Sequence, residues 1–232
     1  MPTPENPIPE NPIPENPARR LTENGSPLPG RLPAGGPGGP RGRLVAVRHG
    51  ATTWSESLRH TGRSDIALEP LGRDQARAVG RRLAGHRFAL VLTSPLARAR
   101  ETSLLAGFGE AEVCDDLREW DYGAYEGRTT AEIRVDDADW SLWRDGVPDG
   151  ETLEEVGRRA DAVVALVRRT AGDVLVFAHA HILRVVAARW IGRPPGEGAR
   201  LVLNPATISV LGWERETPVV ERWNVTPDDL FG

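Results

Sequence analysis

The chain has 232 residues, 29 basic and 33 acidic side chains, a net charge of −4 and one cysteine, Cys114. That length suits one good-sized domain, and an acidic balance without a basic stripe among aromatics speaks against a general nucleic-acid binder. A lone cysteine excludes an internal disulfide framework; no run is apolar enough to span a membrane or to form a secretory signal core, so a cytoplasmic place is expected.

Residues 1–42 are of a different composition from the rest. Pro-Glu-Asn-Pro-Ile recurs through Pro17, and a Gly/Pro-rich run extends from Pro29 to Gly42. Such sequence buries almost nothing and is expected to stay extended or disordered, with no catalytic role. A single folded domain is expected over residues 43–232.

From Arg43 onward strands and helices alternate. Leu44-Val45-Ala46-Val47 reads as a buried strand, ended by Arg48-His49 and a glycine that lets the backbone turn. Ala51 to Ala67 is polar and irregular. Pro70 fits a first helical turn, and Ala76, Val79, Gly80 and Leu83 fall on one face of the helix it opens. Phe88 to Thr93 reads as a second buried strand, ending in Ser94-Pro95. A helix over Leu96 to Ala106 and a short extended piece around Val113 follow. Leu117 to Val147 has no clean period and reads as a long functional insertion. Thr152 and Glu155 make a capping box, and Leu153, Val156, Ala160, Val163, Val164 and Val167 point one way on the helix beyond it. Val174 to Ala178 is another buried strand, ending in His179. A helix over Ile182 to Ile191 is apolar nearly all round. Residues 201–212 and 219–225 read as two closing strands. This alternation predicts an α/β fold with a largely parallel sheet covered on both faces.

Three strands therefore end in chemically loaded residues: Arg48-His49, Ser94 with Arg98 beyond it, and His179. At one edge of a sheet they can converge. Two arginines and two histidines around one point make a pocket for a dianion, because guanidinium forks match phosphate oxygens with charge-assisted hydrogen bonds. One imidazole could attack phosphorus while the other donates to its oxygens. Glu119, in the irregular insertion, is the candidate proton donor. His179 and His181 could instead be read as a metal pair, but arginines beside them would repel a cation, and no metal or cofactor is expected.

The motifs Arg48-His49-Gly50-Ala51-Thr52, Thr61-Gly62-Arg63-Ser64-Asp65, Leu71-Gly72-Arg73, Ser94-Pro95-Leu96-Ala97-Arg98, Leu117-Arg118-Glu119 and His179, in this order, resemble the histidine phosphatase (phosphoglycerate-mutase-like) superfamily. The likeness spans Leu44 to Trp213. Glu119-Trp120-Asp121-Tyr122-Gly123 and Phe177-Ala178-His179-Ala180-His181 resemble the branch with bacterial acid phosphatases and sedoheptulose-bisphosphatase relatives. The resemblance implies a three-layer α/β/α sandwich. It implies His49 as the nucleophile, Arg48, Arg98 and His179 as phosphoryl ligands, and Glu119 as general acid and then base. Thr61 and Gly62 match positions facing the substrate, and Ser55 offers a hydroxyl on the phosphate side. Two departures stand out: Ala180 where glycine is usual, a cost if that backbone needs positive φ, and Ala51 in place of an acidic or amide residue.

The expected activity is metal-independent hydrolysis of small phosphorylated metabolites through a phosphohistidine. The rivals are a phosphoglycerate-type mutase, disfavoured because little chain follows the last strand, and a catalytically silent binder of phosphorylated ligands. Neither nucleic acid nor a membrane is an expected partner; a homodimer is left open.

Overall fold

The computed structural model describes residues 42–229; the Pro-rich repeat and all but the last residue of the tail lie outside them. The strands are β1 (Leu44–Arg48), β2 (Leu90–Thr93), β3 (Glu112–Val113), β4 (Val174–Ala178), β5 (Ile208–Glu214) and β6 (Thr217–Val225). The helices are α1 (Thr53–Glu56), α2 (Pro70–Leu83), α3 (Ala97–Leu105), α4 (Thr130–Ile133), α5 (Leu142–Asp145), α6 (Leu153–Arg169) and α7 (Ala180–Trp190). One six-stranded sheet runs β3-β2-β4-β1-β5-β6. The first four strands in that order are mutually parallel, whereas β5 runs antiparallel to β1 and β6 antiparallel to β5.

The central strands carry no polar face because both faces are covered. Leu44 and Ala46 of β1 join Val174, Val176 and Ala178 of β4 in one core. Ala160, Val163 and Val167 of α6 and Ile182 and Val186 of α7 complete it. The alternate residues, Val45, Val47, Leu175 and Phe177, pack on the other face against Val79 and Leu83 of α2. This is the period of two expected of a pleated strand, written in apolar residues on both sides. The layers are therefore helix, sheet, helix. Truncating a filled position such as Phe177 to alanine would cost about 3–5 kcal/mol.

Local signals set the element ends. Pro70 opens α2 at its first turn, and the Thr152–Glu155 capping box opens α6, with Leu153 partly buried and the other five apolar positions fully so. The insertion contains two 3₁₀ turns and the short helices α4 and α5. One expectation is corrected: residues 201–207 are not strand. Pro205 has no N–H for a ladder, and Ala206 takes φ +53, so the chain turns there and β5 begins only at Ile208.

Candidate active site

Backbone hydrogen bonds carry the sheet one residue past the strand ends. His49 N–H donates to the Ala178 carbonyl at 3.0 Å, and Ser94 N–H to the Phe177 carbonyl at 2.9 Å. The ends of β1, β4 and β2, neighbours in the sheet, thus bring His49, His179 and Ser94 together. The His49 and His179 rings lie 5.2 Å apart, centroid to centroid.

His49 Nδ1 lies 2.8 Å from the Gly50 carbonyl. A carbonyl only accepts, so Nδ1 carries the proton and Nε2 keeps its lone pair. Burial, reinforced by the charges of Arg48 and Arg98, holds this imidazole well below its usual pKa, so it is neutral and nucleophilic. Gly50 has no room for a side chain: a Cβ there would strike the Gly72 carbonyl, and one on Gly72 would strike Ala51. Gly50 N–H also donates to Thr102 Oγ1 at 3.1 Å, and Ala51 N–H to Gln75 Oε1 at 2.9 Å. The loop after His49 is thus bolted to α2 and α3.

Arg98 is fully buried. Its terminal nitrogens donate to the carbonyls of Ser64 at 2.8 Å, Thr61 at 2.9 Å and Gly62 at 3.1 Å. Arg48 donates to the Leu203 carbonyl at 2.5 Å, and burial lowers its pKa to about 10, against the opposing charge of Glu119. His179 Nε2 pairs with Ser94 Oγ at 2.8 Å. Arg48 Nε, Arg98 Nε and His179 Nδ1 are buried and find no partner among the described residues. Leaving buried polar groups unpaired is costly, and three of them beside one imidazole describe a site built for an oxyanion.

Glu119 is 7% exposed. Its Oε1 accepts from Trp120 N–H at 3.0 Å and Ile182 N–H at 2.9 Å, and its Oε2 from His181 N–H at 3.0 Å. It thereby caps the N-terminus of α7, the helix that begins just after His179. Burial by itself pushes this carboxyl up. The backbone N–H groups of Trp120, His181 and Ile182 outweigh it, and the group sits well below its usual range.

A cleft of about 390 Å³ is lined among others by Arg48, His49, Ser55, Thr61, Glu119 and His181, with Arg98 and His179 buried behind it rather than at its wall. Ser55 is at the wall, but its hydroxyl donates to the Thr52 carbonyl and accepts from Thr52 N–H in the cap of α1. Thr61 is also at the wall. Gly62 is not: it lines a neighbouring cleft of about 440 Å³ on the far side of Glu119, and its contribution is a carbonyl for Arg98. Ala180 opens α7 and is not among the residues of positive φ, so it carries no backbone strain there. His179 and His181 turn to different partners, Ser94 and Tyr122, rather than toward a shared point. Trp120 and Trp140 are core residues, whereas Trp143 is partly buried with Arg184 over its ring at 4.7 Å.

Residues 44–226 match the family model of the histidine phosphatase superfamily, branch 1. The chain belongs to that superfamily. An acid phosphatase of Mycobacterium tuberculosis is 42% identical over 176 residues, which is 74% of this chain and 87% of the relative. The sedoheptulose 1,7-bisphosphatase of Saccharomyces cerevisiae is 37% identical over 183 residues, 65% of this chain and 68% of the relative. The solved structure of the open reading frame Rv3214 from Mycobacterium tuberculosis superposes with a TM-score of 0.77 at 39% identity, covering 80% of this chain and 98% of that one. These likenesses support the acid-phosphatase and sedoheptulose-bisphosphatase branch of the superfamily.

Several cleft residues were not assigned to the site from sequence, Arg184 among them although Leu183-Arg184 belongs to the pattern that resembles the phosphatase branch. Arg184 lies three residues beyond His181 on α7, a spacing that puts both on one helical side. That spacing was a usable signal. Leu58, Val202 and Asn204 gave none, because they sit in irregular chain whose path no periodicity describes.

Proposed function

We propose that the protein is a metal-independent phosphomonoesterase acting on small phosphorylated metabolites through a phosphohistidine. The observation that carries this reading is the neutral His49 with Nε2 unprotonated, set among three buried nitrogens, Arg48 Nε, Arg98 Nε and His179 Nδ1, that lack partners among the described residues. Arg48, Arg98 and His179 bind the phosphoryl oxygens. His49 Nε2 attacks phosphorus, the P–O bond to the alcohol breaks, and Glu119 passes a proton to the leaving oxygen. Glu119 is ionised in the free protein, so that proton arrives with the substrate: a monoester monoanion carries one, and a phosphate beside Glu119 raises the affinity of the carboxylate for it. In the second half, Glu119 takes a proton from water, water attacks the phosphohistidine, the N–P bond breaks and phosphate departs.

The deciding experiment is hydrolysis of p-nitrophenyl phosphate in excess EDTA by the intact chain and by His49→Ala, with an assay for an acid-labile phosphoenzyme. EDTA-resistant turnover and a phosphoenzyme, both lost in the variant, are expected. Full activity in His49→Ala would refute the mechanism. Transfer between phosphoglycerate hydroxyls without hydrolysis would make the protein a mutase, and neither activity would leave a phospho-ligand binder.

A further inference from the structure

His181 stands beside the reacting groups, yet the chemistry above uses only its backbone N–H. Its Nδ1 is 2.6 Å from the Tyr122 hydroxyl and 3.8 Å from Glu119 Oε2. Tyr122 is 1% exposed, and its hydroxyl has this one partner among the described residues. Two arrangements of the proton are open. If His181 Nδ1–H donated to Tyr122, the tyrosine proton would be buried with nothing to accept it. If Tyr122 donates to Nδ1, both groups are satisfied and the imidazole carries its proton on Nε2. Burial, against the pull of Glu119 and with the charges of Arg184 and Arg48, lowers the His181 pKa, and burial raises that of Tyr122, so both stay neutral.

The opposite edge of the ring, Nε2, is hydrogen-bonded to no described residue and is not among the buried unpartnered atoms, and His181 lines the cleft. The ring shares the cleft with Arg48, His49 and Glu119, its Nδ1 edge toward Glu119 and its Nε2 edge away from it, so Nε2–H is a donor free for the part of an ester beyond the leaving oxygen. We propose that His181, held by Tyr122 as the Nε2–H tautomer, is a specificity-determining residue whose ring donates a hydrogen bond to an oxygen acceptor on the leaving alcohol. The favoured substrates are then hydroxyl-bearing alkyl phosphates, of the sugar or polyol class, over plain alkyl ones. The partial burial of Arg184, whose Nε and one terminal nitrogen go to the carbonyls of Gly198 and Ala199, keeps a cation near the same oxygen. Tyr122 is a positioning residue: it acts through His181. This inference rests on the phosphatase reading for its substrate, but not for its tautomer.

The test compares glycerol 3-phosphate with n-propyl phosphate, two alkyl esters of the same carbon number, so that the need for a general acid is shared. The intact chain should prefer the glycerol ester in kcat/KM by about tenfold. In His181→Leu and Tyr122→Phe that preference should fall to within about twofold, and His181→Gln, which places an amide N–H near the Nε2 position, should restore part of it. Equal losses on both esters would assign the pair a purely structural part and overturn the proposal. Nitrogen-15 spectra of the imidazole in the intact chain provide an independent readout: a neutral Nε2–H ring is expected at pH 7, and an Nδ1–H ring or an imidazolium would overturn it. If neither ester were hydrolysed, the phosphatase reading would fail, and the two dissociation constants with the intact chain, measured by calorimetry, would decide the part of His181 instead.

Discussion

Glutamine at position 119 should separate the chemical work of this residue from its work as a cap. The carboxylate serves three backbone donors, at 2.9 to 3.0 Å, two on Oε1 and one on Oε2. Glutamine keeps one oxygen, enough for Trp120 and Ile182, but turns its amide nitrogen toward His181 N–H. One buried donor is left unsatisfied, at about 1–3 kcal/mol. Losing a negative charge at the head of α7 adds about 0.5–2 kcal/mol. Glu119→Gln should therefore lower stability by about 1.5–5 kcal/mol, read as a fall in the urea midpoint at unchanged slope, against a typical margin of about 5–15 kcal/mol. The catalytic loss is separate, and it should depend on the leaving group. An alkyl alcohol needs protonation to depart, so kcat/KM for glycerol 3-phosphate should fall about 10²- to 10⁴-fold. A p-nitrophenolate departs as a stable anion, and the step before it needs little help. Equal losses on the two esters, or an unchanged rate on the alkyl one, would refute the assignment of Glu119 as general acid.

Two further outcomes follow from the same geometry. His60 is lowered to about 4, mainly by burial and then by the field of His181, so its folded pKa lies below its unfolded value near 6.5. Its contribution is present above about pH 6.5 and is lost as pH falls toward 4, worth about 3 kcal/mol over that window. Urea unfolding at pH 7.0 and 4.5 should show a smaller acid loss in His60→Leu than in the parent; an identical loss would remove His60 from the account. Ala180→Gly should leave turnover on p-nitrophenyl phosphate within about twofold and lower stability by up to about 1 kcal/mol, because the position is helical and alanine already suits it. A large gain in activity would show that the alanine does constrain the pocket.

The parallel core was legible because its strands are short apolar runs whose ends carry Arg48-His49, Ser94 and His179, and because Pro70 and the Thr152–Glu155 box mark helix starts through local chemistry. The residues gathered there were legible for the same reason: each sits at a strand end or, for Arg98, at the start of the helix that follows one. What stayed hidden depends on chain path. Glu119 could be chosen among neighbouring acids only by resemblance, since its place is fixed by the head of α7, 62 positions away in sequence for the His181 N–H. Gly62 looked like a substrate-facing residue, but its use is through a carbonyl that no residue type announces. The apolar content of 201–207 suggested strand, and the turn at Pro205-Ala206 instead makes it a wall of the cleft, tied to Arg48 through Leu203.

In the sheet, β4 lies between β1 and β2, yet it is made last of the three. The two outer strands have no direct ladder with each other, so the pocket cannot be assembled from the first half of the chain. During synthesis His49, Arg98 and Glu119 all emerge before β4. The three strand ends therefore meet only when β4 lies between β1 and β2. Such long-range closure is slow compared with local helix formation. On the proposed function, inorganic phosphate binds the completed fold alone and raises its stability by RT ln(1 + [L]/Kd).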